Sequence, residues 1–296
     1  MYILSGYSYH SSKGPYLQLD EIASQPTIRH YVPIWEAYIS LNILTNKYCI
    51  GGFDLTIKRS IPCPNQQEIG SKSLCCSNCN QSIQFNPAFY RIAPSQLSQQ
   101  QQSYNLQPHA VYLAYFGGNI IKVGIANQKR IYTRWLEQGA RAAVVLQCLQ
   151  DAYAARTLEE YINTTYNIPE RITIKQKQQC LHMPYYFEDA SIKLNACRKA
   201  IYANLSTLSM DNPIQNLQDA YFHKKQPFPL YQSPKESQRT IAGYGLGMVG
   251  EVLIYEQQGY CFIQPLKSLL GQVQVRLNEK EVPIPVNIQT QLNLFG

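Results

Sequence analysis

No apolar run in this 296-residue chain approaches the ~18 residues that a bilayer-spanning helix needs. The opening Met1-Tyr-Ile-Leu-Ser-Gly-Tyr7 has neither a basic start nor a sustained apolar core, so no export signal is visible. Both absences lead to the expectation of a cytoplasmic protein without a membrane partner. Charge is also sparse. Only 15% of residues are Asp, Glu, Lys or Arg, so the polar surface has to draw on Gln, Asn, Ser and Tyr. The 26 Lys and Arg against 19 Asp and Glu leave a net +7, which suits a polyanionic partner without requiring one. A chain this long is expected to hold about two domains, each with its own core.

A disulfide framework is the next thing missing. The nine cysteines are odd in number and lack an export signal, which favours metal binding or simple burial. Cys148, Cys180, Cys197 and Cys261 are scattered and read as core or incidental thiols. Cys49, Cys63, Cys76 and Cys79 are different, with the spacing Cys-x13-Cys-x12-Cys-x2-Cys. Thiolates at that density suit a closed tetrahedral Zn2+ site, structural because four thiolates leave no open coordination position. Cys75 is an alternative to Cys76, and buried thiols without metal are the plainer reading.

The expected fold class is α+β: a β-rich zinc-binding module (1–93), then a central small antiparallel sheet flanked by helices (109–180), then a mixed region (181–296). Ile39, Leu41 and Ile43 alternate with Ser40 and Asn42 as in a half-buried strand. Gly51-Gly52 separates two short apolar runs, 48–50 and 53–57, and predicts a hairpin. The Gln- and Ser-rich tract 94–108 reads as a linker.

Within the central segment, 110–116 and 120–126 read as strands. A helix runs from an Asn127 cap to Gly139, a third strand covers 143–149, and Asp151 caps a second helix that Pro169 closes. Its inward positions are Ala155, Leu158, Ile162 and Thr165. Farther on, Ile192, Ala196 and Ile201 are helical core candidates, 211–240 is an irregular connection, and 252–255 with 260–263 form a hairpin.

Register decides whether the polar residues of the first hairpin can cooperate. The apolar sets Val111, Leu113, Tyr115 and Ile121, Val123, Ile125 share a face only if the loop is odd, such as Gly117-Gly118-Asn119. That register sets Tyr112 opposite Gly124 and Lys122 opposite Ala114, on the face away from that core.

Strand, turn, strand, an Arg on the next helix and a Glu on a later one resemble the GIY-YIG endonuclease superfamily. Ala110-Val-Tyr112 looks like its first motif and Lys122-Val-Gly124 like its second, with Ala110 in place of a glycine and Lys122 in place of a tyrosine. The phrase Trp135-Leu-Glu-Gln-Gly-Ala140, with His109 and the upstream cysteines, is more closely similar to an uncharacterised bacterial family that joins a cysteine-bearing part to such a core. That likeness covers about residues 45–170.

The resemblance implies an Mg2+- or Mn2+-dependent nuclease acting on DNA or RNA, with Glu159 as the metal carboxylate and Arg134 as the phosphate-binding arginine. Tyr112 would orient water, Lys122 would hold phosphate and His109 is a reserve for proton transfer. Two other readings fit the same residues. One is a zinc-containing nucleic-acid-binding protein without turnover, and the other is a protein-interaction module built on the Tyr- and Gln-rich surface. Ordinary helix ion pairs of Glu137 with Arg134 and Arg141 would also account for that face, at about 0.2–0.5 kcal/mol each.

Overall fold

Strands from the first and the last described stretches of the chain share one sheet. The structure is a computed structural model that describes residues 1–10, 12–82, 85–205, 211–224, 231–234 and 238–277. It opens with strands β1 (Tyr2–His10), β2 (Gly14–Glu21), β3 (Ile28–Pro33) and β4 (Tyr38–Ile43). The cysteine-bearing stretch adds short strands β5 (Lys47–Tyr48), β6 (Gly52–Asp54), β7 (Arg59–Ile61) and β8 (Glu68–Ile69), then helix α1 (Ser77–Ser82). Helix α2 (Gln99–Asn105) leads into β9 (His109–Gly117), β10 (Ile120–Asn127), α3 (Ile131–Gln138), β11 (Ala142–Leu149) and α4 (Ala152–Tyr166). After α5 (Ile174–Leu181) and α6 (Phe187–Tyr202) come β12 (Gln215–Asn216), β13 (Thr240–Val249), β14 (Val252–Gln257), β15 (Tyr260–Pro265) and β16 (Val273–Leu277).

The protein is α+β, as its local patterns predict. Eight strands pair in the order β15-β14-β13-β4-β16-β1-β2-β3, and a four-stranded sheet has the order β10-β9-β11-β12. The larger sheet therefore joins segments assigned on sequence to separate regions, 1–93 and 181–296. The predicted hairpin at 252–263 is present as β14 and β15. Parts of the expected 211–240 connection, and residues 278–296 of the expected C-terminal region, lie outside the described residues.

Burial on both faces makes β9 the centre of the molecule. Val111, Leu113 and Tyr115 pack with Val123, Val144 and residues of α4 and α6, including Ala155, Ile162 and Leu194. Tyr112, Ala114 and Phe116 instead join the core that contains Trp135 of α3 and Met248 and Ile254 of the larger sheet. A strand covered on both sides reads as a nearly continuous apolar run, as this one does.

The predicted register of β9 and β10 is the observed one, with Lys122 opposite Ala114 and Gly124 opposite Tyr112. Its origin differs from the expected three-residue loop. Gly117 pairs with Ile120 across a two-residue turn, and the pairing shifts before Ile121 meets Tyr115. This bulge restores the odd register that burial demands.

Four local expectations need correction. Asn127 caps a short 3-10 turn, its Oδ1 accepting from Lys129 N, and α3 begins only at Ile131. The 94–108 tract is folded: Ser98 caps α2, and the Gln101 amide, fully buried, bonds both the N–H and the C=O of Asn86. A side-chain amide that satisfies a backbone unit lets a polar tract pack. The runs flanking Gly51-Gly52 do not pair with each other, since β5 pairs with β8 and β6 with β7. Gly51, at φ +83°, turns the chain so that Cys49 and Cys63 meet. On α6 the buried residues are Ala190, Leu194, Arg198 and Ile201, whereas Ile192 and Ala196 are exposed.

Candidate functional site

The four cysteines of the predicted set come together. Cys49 follows β5, Cys63 follows β7, Cys76 precedes α1 and Cys79 lies within it. Their sulfurs all lie within 4.8 Å of one another, and all four residues are buried. Thiolates about 2.3 Å from a central zinc would sit roughly 3.8 Å apart, and Cys63 Sγ lies 4.0 Å from Cys76 Sγ. Backbone N–H groups also point at the sulfurs. Gly51 and Cys76 donate to Cys49 Sγ at 3.4 and 3.1 Å, and Cys79 donates to Cys76 Sγ at 3.5 Å.

Burial pushes the Cys49 thiol up to about 12 and raises Cys79 as well. At Cys76 burial acts in the same direction, but bonds from Cys79 and the other thiols outweigh it and bring the thiol below its usual 9.0. Desolvated thiols ionise only when a cation compensates them, so the donor set fits a thiophilic metal ion such as zinc. Cys75 is outside the set; its thiol donates to Gly51 O at 3.0 Å.

This module is tied to both of its neighbours. Thr27 donates to Cys63 O at 2.8 Å, and Arg29, paired with Asp20 at 2.6 Å, donates to Ile50 O at 3.0 Å. Toward the central sheet, the Arg130 guanidinium lies 5.2 Å from the Phe53 ring centre and Lys58 donates to the Gln107 side chain at 2.8 Å.

The second candidate site gathers four of the five predicted residues. Tyr112 is wholly buried, edge-on to Trp135 at 6.0 Å, and its hydroxyl donates to Gln138 Oε1 at 2.9 Å. Gly124 makes room for it: a Cβ there would lie 2.6 Å from the Tyr112 hydroxyl. Lys122 is 8% exposed, its Nζ donates to Glu170 O at 3.0 Å, and it stands 6.0 Å from the centre of the Tyr112 ring. Burial, then the Arg134 charge, depress the Lys122 ammonium to about 8, against the pull of Glu159. Burial also pushes the Tyr112 phenol up to about 12, with Arg134 opposing. Arg134 itself is half-exposed and loosely paired with Glu137 at 3.9 Å.

Glu159 is buried on α4, whereas the adjacent Glu160 is exposed. Burial raises the Glu159 carboxyl above its usual 4.5, although Arg156 opposes the shift. Arg156 was not foreseen. It grips Glu159 at 2.6 Å and Glu170 at 2.8 Å, so one guanidinium holds two carboxylates. Its i, i+3 spacing to Glu159 was legible in the sequence, whereas Gln138 gave no sequence signal. A divalent ion at Glu159 would have to displace Arg156 in the company of two further cations, and in this arrangement the residues do not fit Mg2+ or Mn2+.

His109 is not in the group. Strand alternation puts it on the opposite face from Tyr112, where Nδ1 meets Gln107 O at 2.8 Å and Tyr104 packs edge-on at 5.4 Å. Burial lowers its imidazole below the usual 6.5.

Fold and thiol cluster together define a mixed α+β protein with a four-cysteine module suited to a metal ion. Residues 37–267 match the family described as "Protein of unknown function (DUF2797)", and the chain belongs to that family. No curated protein and no solved structure matches it. Among the described residues, no helix is long and apolar enough to cross a membrane.

Proposed function

We propose that this protein binds nucleic acid through the phosphate backbone, using a GIY-YIG-like central domain braced by a structural Zn2+ in the cysteine module. The observation that carries the reading is the convergence of Lys122 and Arg134 beside the buried Tyr112. Among the described residues Lys122 belongs to no ion pair, so its charge remains available to an anion. A planar guanidinium at the surface and a lysine behind it suit a phosphodiester. Turnover is disfavoured by what already occupies the other groups: the Tyr112 proton is given to Gln138, and Glu159 is held by Arg156.

The second reading is a nuclease, and one observation favours it. A lysine brought to about 8 is partly neutral near physiological pH and can accept a proton from water.

A single assay separates the two. Zinc-replete protein is mixed with plasmid, linear, single-stranded and branched DNA and with structured RNA, with Mg2+ or Mn2+, beside a Glu159→Ala variant. The binding reading expects retention that weakens steeply with salt and no cutting. Metal-dependent cutting that disappears in the variant establishes the nuclease. Absence of both retention and cutting rejects both.

A further inference from the structure

A third cation stands beside Lys122 and Arg134, on an element to which the sequence assigned no role. Lys177, on α5, pairs with Glu251 at 3.4 Å, and the two side chains are only 17% and 15% exposed. Packing fixes both partners. Alpha5 is pressed onto the end of β9, where a Cβ on Gly117 would come within 2.9 Å of Cys180. Glu251 follows Gly250 in the turn between β13 and β14. That turn abuts the end of α3, where a Cβ on Gly139 would lie 3.2 Å from Gly250 N. The Gly250 carbonyl is also held by the Tyr9 hydroxyl at 2.9 Å. The residue before Gly139 is Gln138, which holds Tyr112.

The charges of these three cations oppose one another. Arg134 and Lys177 both work against the Lys122 ammonium, and Arg134 works against that of Lys177. Two of the three, Lys122 and Lys177, are largely buried, and a fold can hold like charges together there if an anion completes the group. The carboxylates nearby are committed: Glu137 to Arg130 and Arg134, Glu159 and Glu170 to Arg156, and Glu251 to Lys177. Of these, the Lys177–Glu251 contact joins the central domain to the larger sheet across a 3.4 Å gap, longer than the 2.6 and 2.8 Å contacts of Arg156.

We propose that Lys177 is a further phosphate-contacting residue, reading the phosphate next to the one held by Lys122 and Arg134, and that Glu251 is the resident counter-ion which this phosphate replaces. The inference rests on the nucleic-acid-binding reading above. It adds that the larger sheet, through Glu251, sets how strongly the backbone is held.

The test is fluorescence anisotropy of labelled duplex and single-stranded oligonucleotides with the full chain, in zinc-replete buffer of varied KCl without Mg2+. The proteins are wild type, Lys177→Ala, Lys177→Gln, Lys177→Arg, Glu251→Gln and Lys224→Ala, the last at an exposed lysine that pairs with Glu36 instead. Thermal melts check that each is folded. The slope of log K against log salt should become shallower by about 0.9 for duplex, or about 0.7 for single strands, in Lys177→Ala and Lys177→Gln. It should be kept in Lys177→Arg and Lys224→Ala.

Glu251→Gln should bind about fivefold tighter, the cost in water of one carboxylate about 4 Å from a phosphate. This gain cannot come from unfolding. Wild-type binding that is salt-dependent with unchanged slopes in the Lys177 variants removes Lys177 and leaves the broader reading standing. Weaker binding by Glu251→Gln makes Glu251 a scaffold for Lys177 and overturns its role as a displaced counter-ion. Wild type that binds neither oligonucleotide ends the broader reading and this inference with it.

Discussion

Replacing Arg156 with Gln puts the logic of the second site under direct strain. The guanidinium is 12% exposed and bridges Glu159 (8%) and Glu170 (26%), so its loss leaves a buried carboxylate without an ionic partner. Breaking one side of a buried pair costs about 3–5 kcal/mol. The greater exposure of Glu170 places this case near the low end, at about 3 kcal/mol. For a domain-sized chain that corresponds to a fall in Tm of roughly 6–10 °C.

The deficit should also depend on pH, with a definite sign. Burial already holds the Glu159 carboxyl above 4.5 and Arg156 is the main opposition, so the variant's carboxyl climbs further. A carboxyl that binds its proton more tightly when folded favours the fold at low pH and loses that contribution as pH rises through its folded value. Urea titrations should therefore show a smaller gap between variant and wild type at pH 5 than at pH 8. Adding Glu159→Gln should recover much of the loss. A gap that is the same at both pH values, with no recovery in the double variant, refutes the view of Arg156 as the neutralising partner. Millimolar Mg2+ supplies a further readout, because it should stabilise the single variant only if Glu159 is a metal carboxylate that Arg156 covers.

Other outcomes follow from the same contacts. Protein purified under reducing conditions should carry one zinc per chain by elemental analysis, and Cys76→Ser should lose it together with protection of the 47–80 backbone in hydrogen exchange. Lys122→Met should stabilise the protein most below pH 8. The advantage should shrink between about 8 and 10.5, because a depressed lysine costs the fold stability at low pH and regains it as the unfolded chain also deprotonates. Urea melts across that range test it. Gly124→Ala should cost about 1–3 kcal/mol because its Cβ meets the Tyr112 ring, and an unchanged melt would mean that the ring can move aside.

What could be read from the sequence was set by periodicity and spacing. The parity of apolar residues in 111–125 alone required the register that places Tyr112 over Gly124, although it could not distinguish an odd loop from a two-residue turn with a bulge. Cysteine spacing named the four thiols that meet, but not the separate pairings of β5 with β8 and β6 with β7 around them. The Gln-rich tract misled because composition does not say where a side-chain amide finds its partners, and Gln101 finds both on Asn86. For Arg156 only the i, i+3 pair with Glu159 was legible; its second pair, and that of Lys177, were not. Their partners Glu170 and Glu251 are brought to them by tertiary packing, and in Lys177's case by a strand turn 74 residues along the chain.

The place of β16 in the larger sheet has a consequence for how the chain is made. It sits between β1 and β4, pairing Val275 with Tyr2 on one side and with Leu41 on the other. The first four strands are complete by residue 43, yet the strand that separates β1 from β4 begins only at residue 273. At about 5–20 residues per second, the intervening stretch takes on the order of 10–50 s to appear. During that interval the nascent chain holds one edge of β1 and, until β13 appears, both edges of β4 open, a template for wrong pairing. Protection of those early edges, by the ribosome surface or a chaperone, should therefore govern yield more than the final stability does.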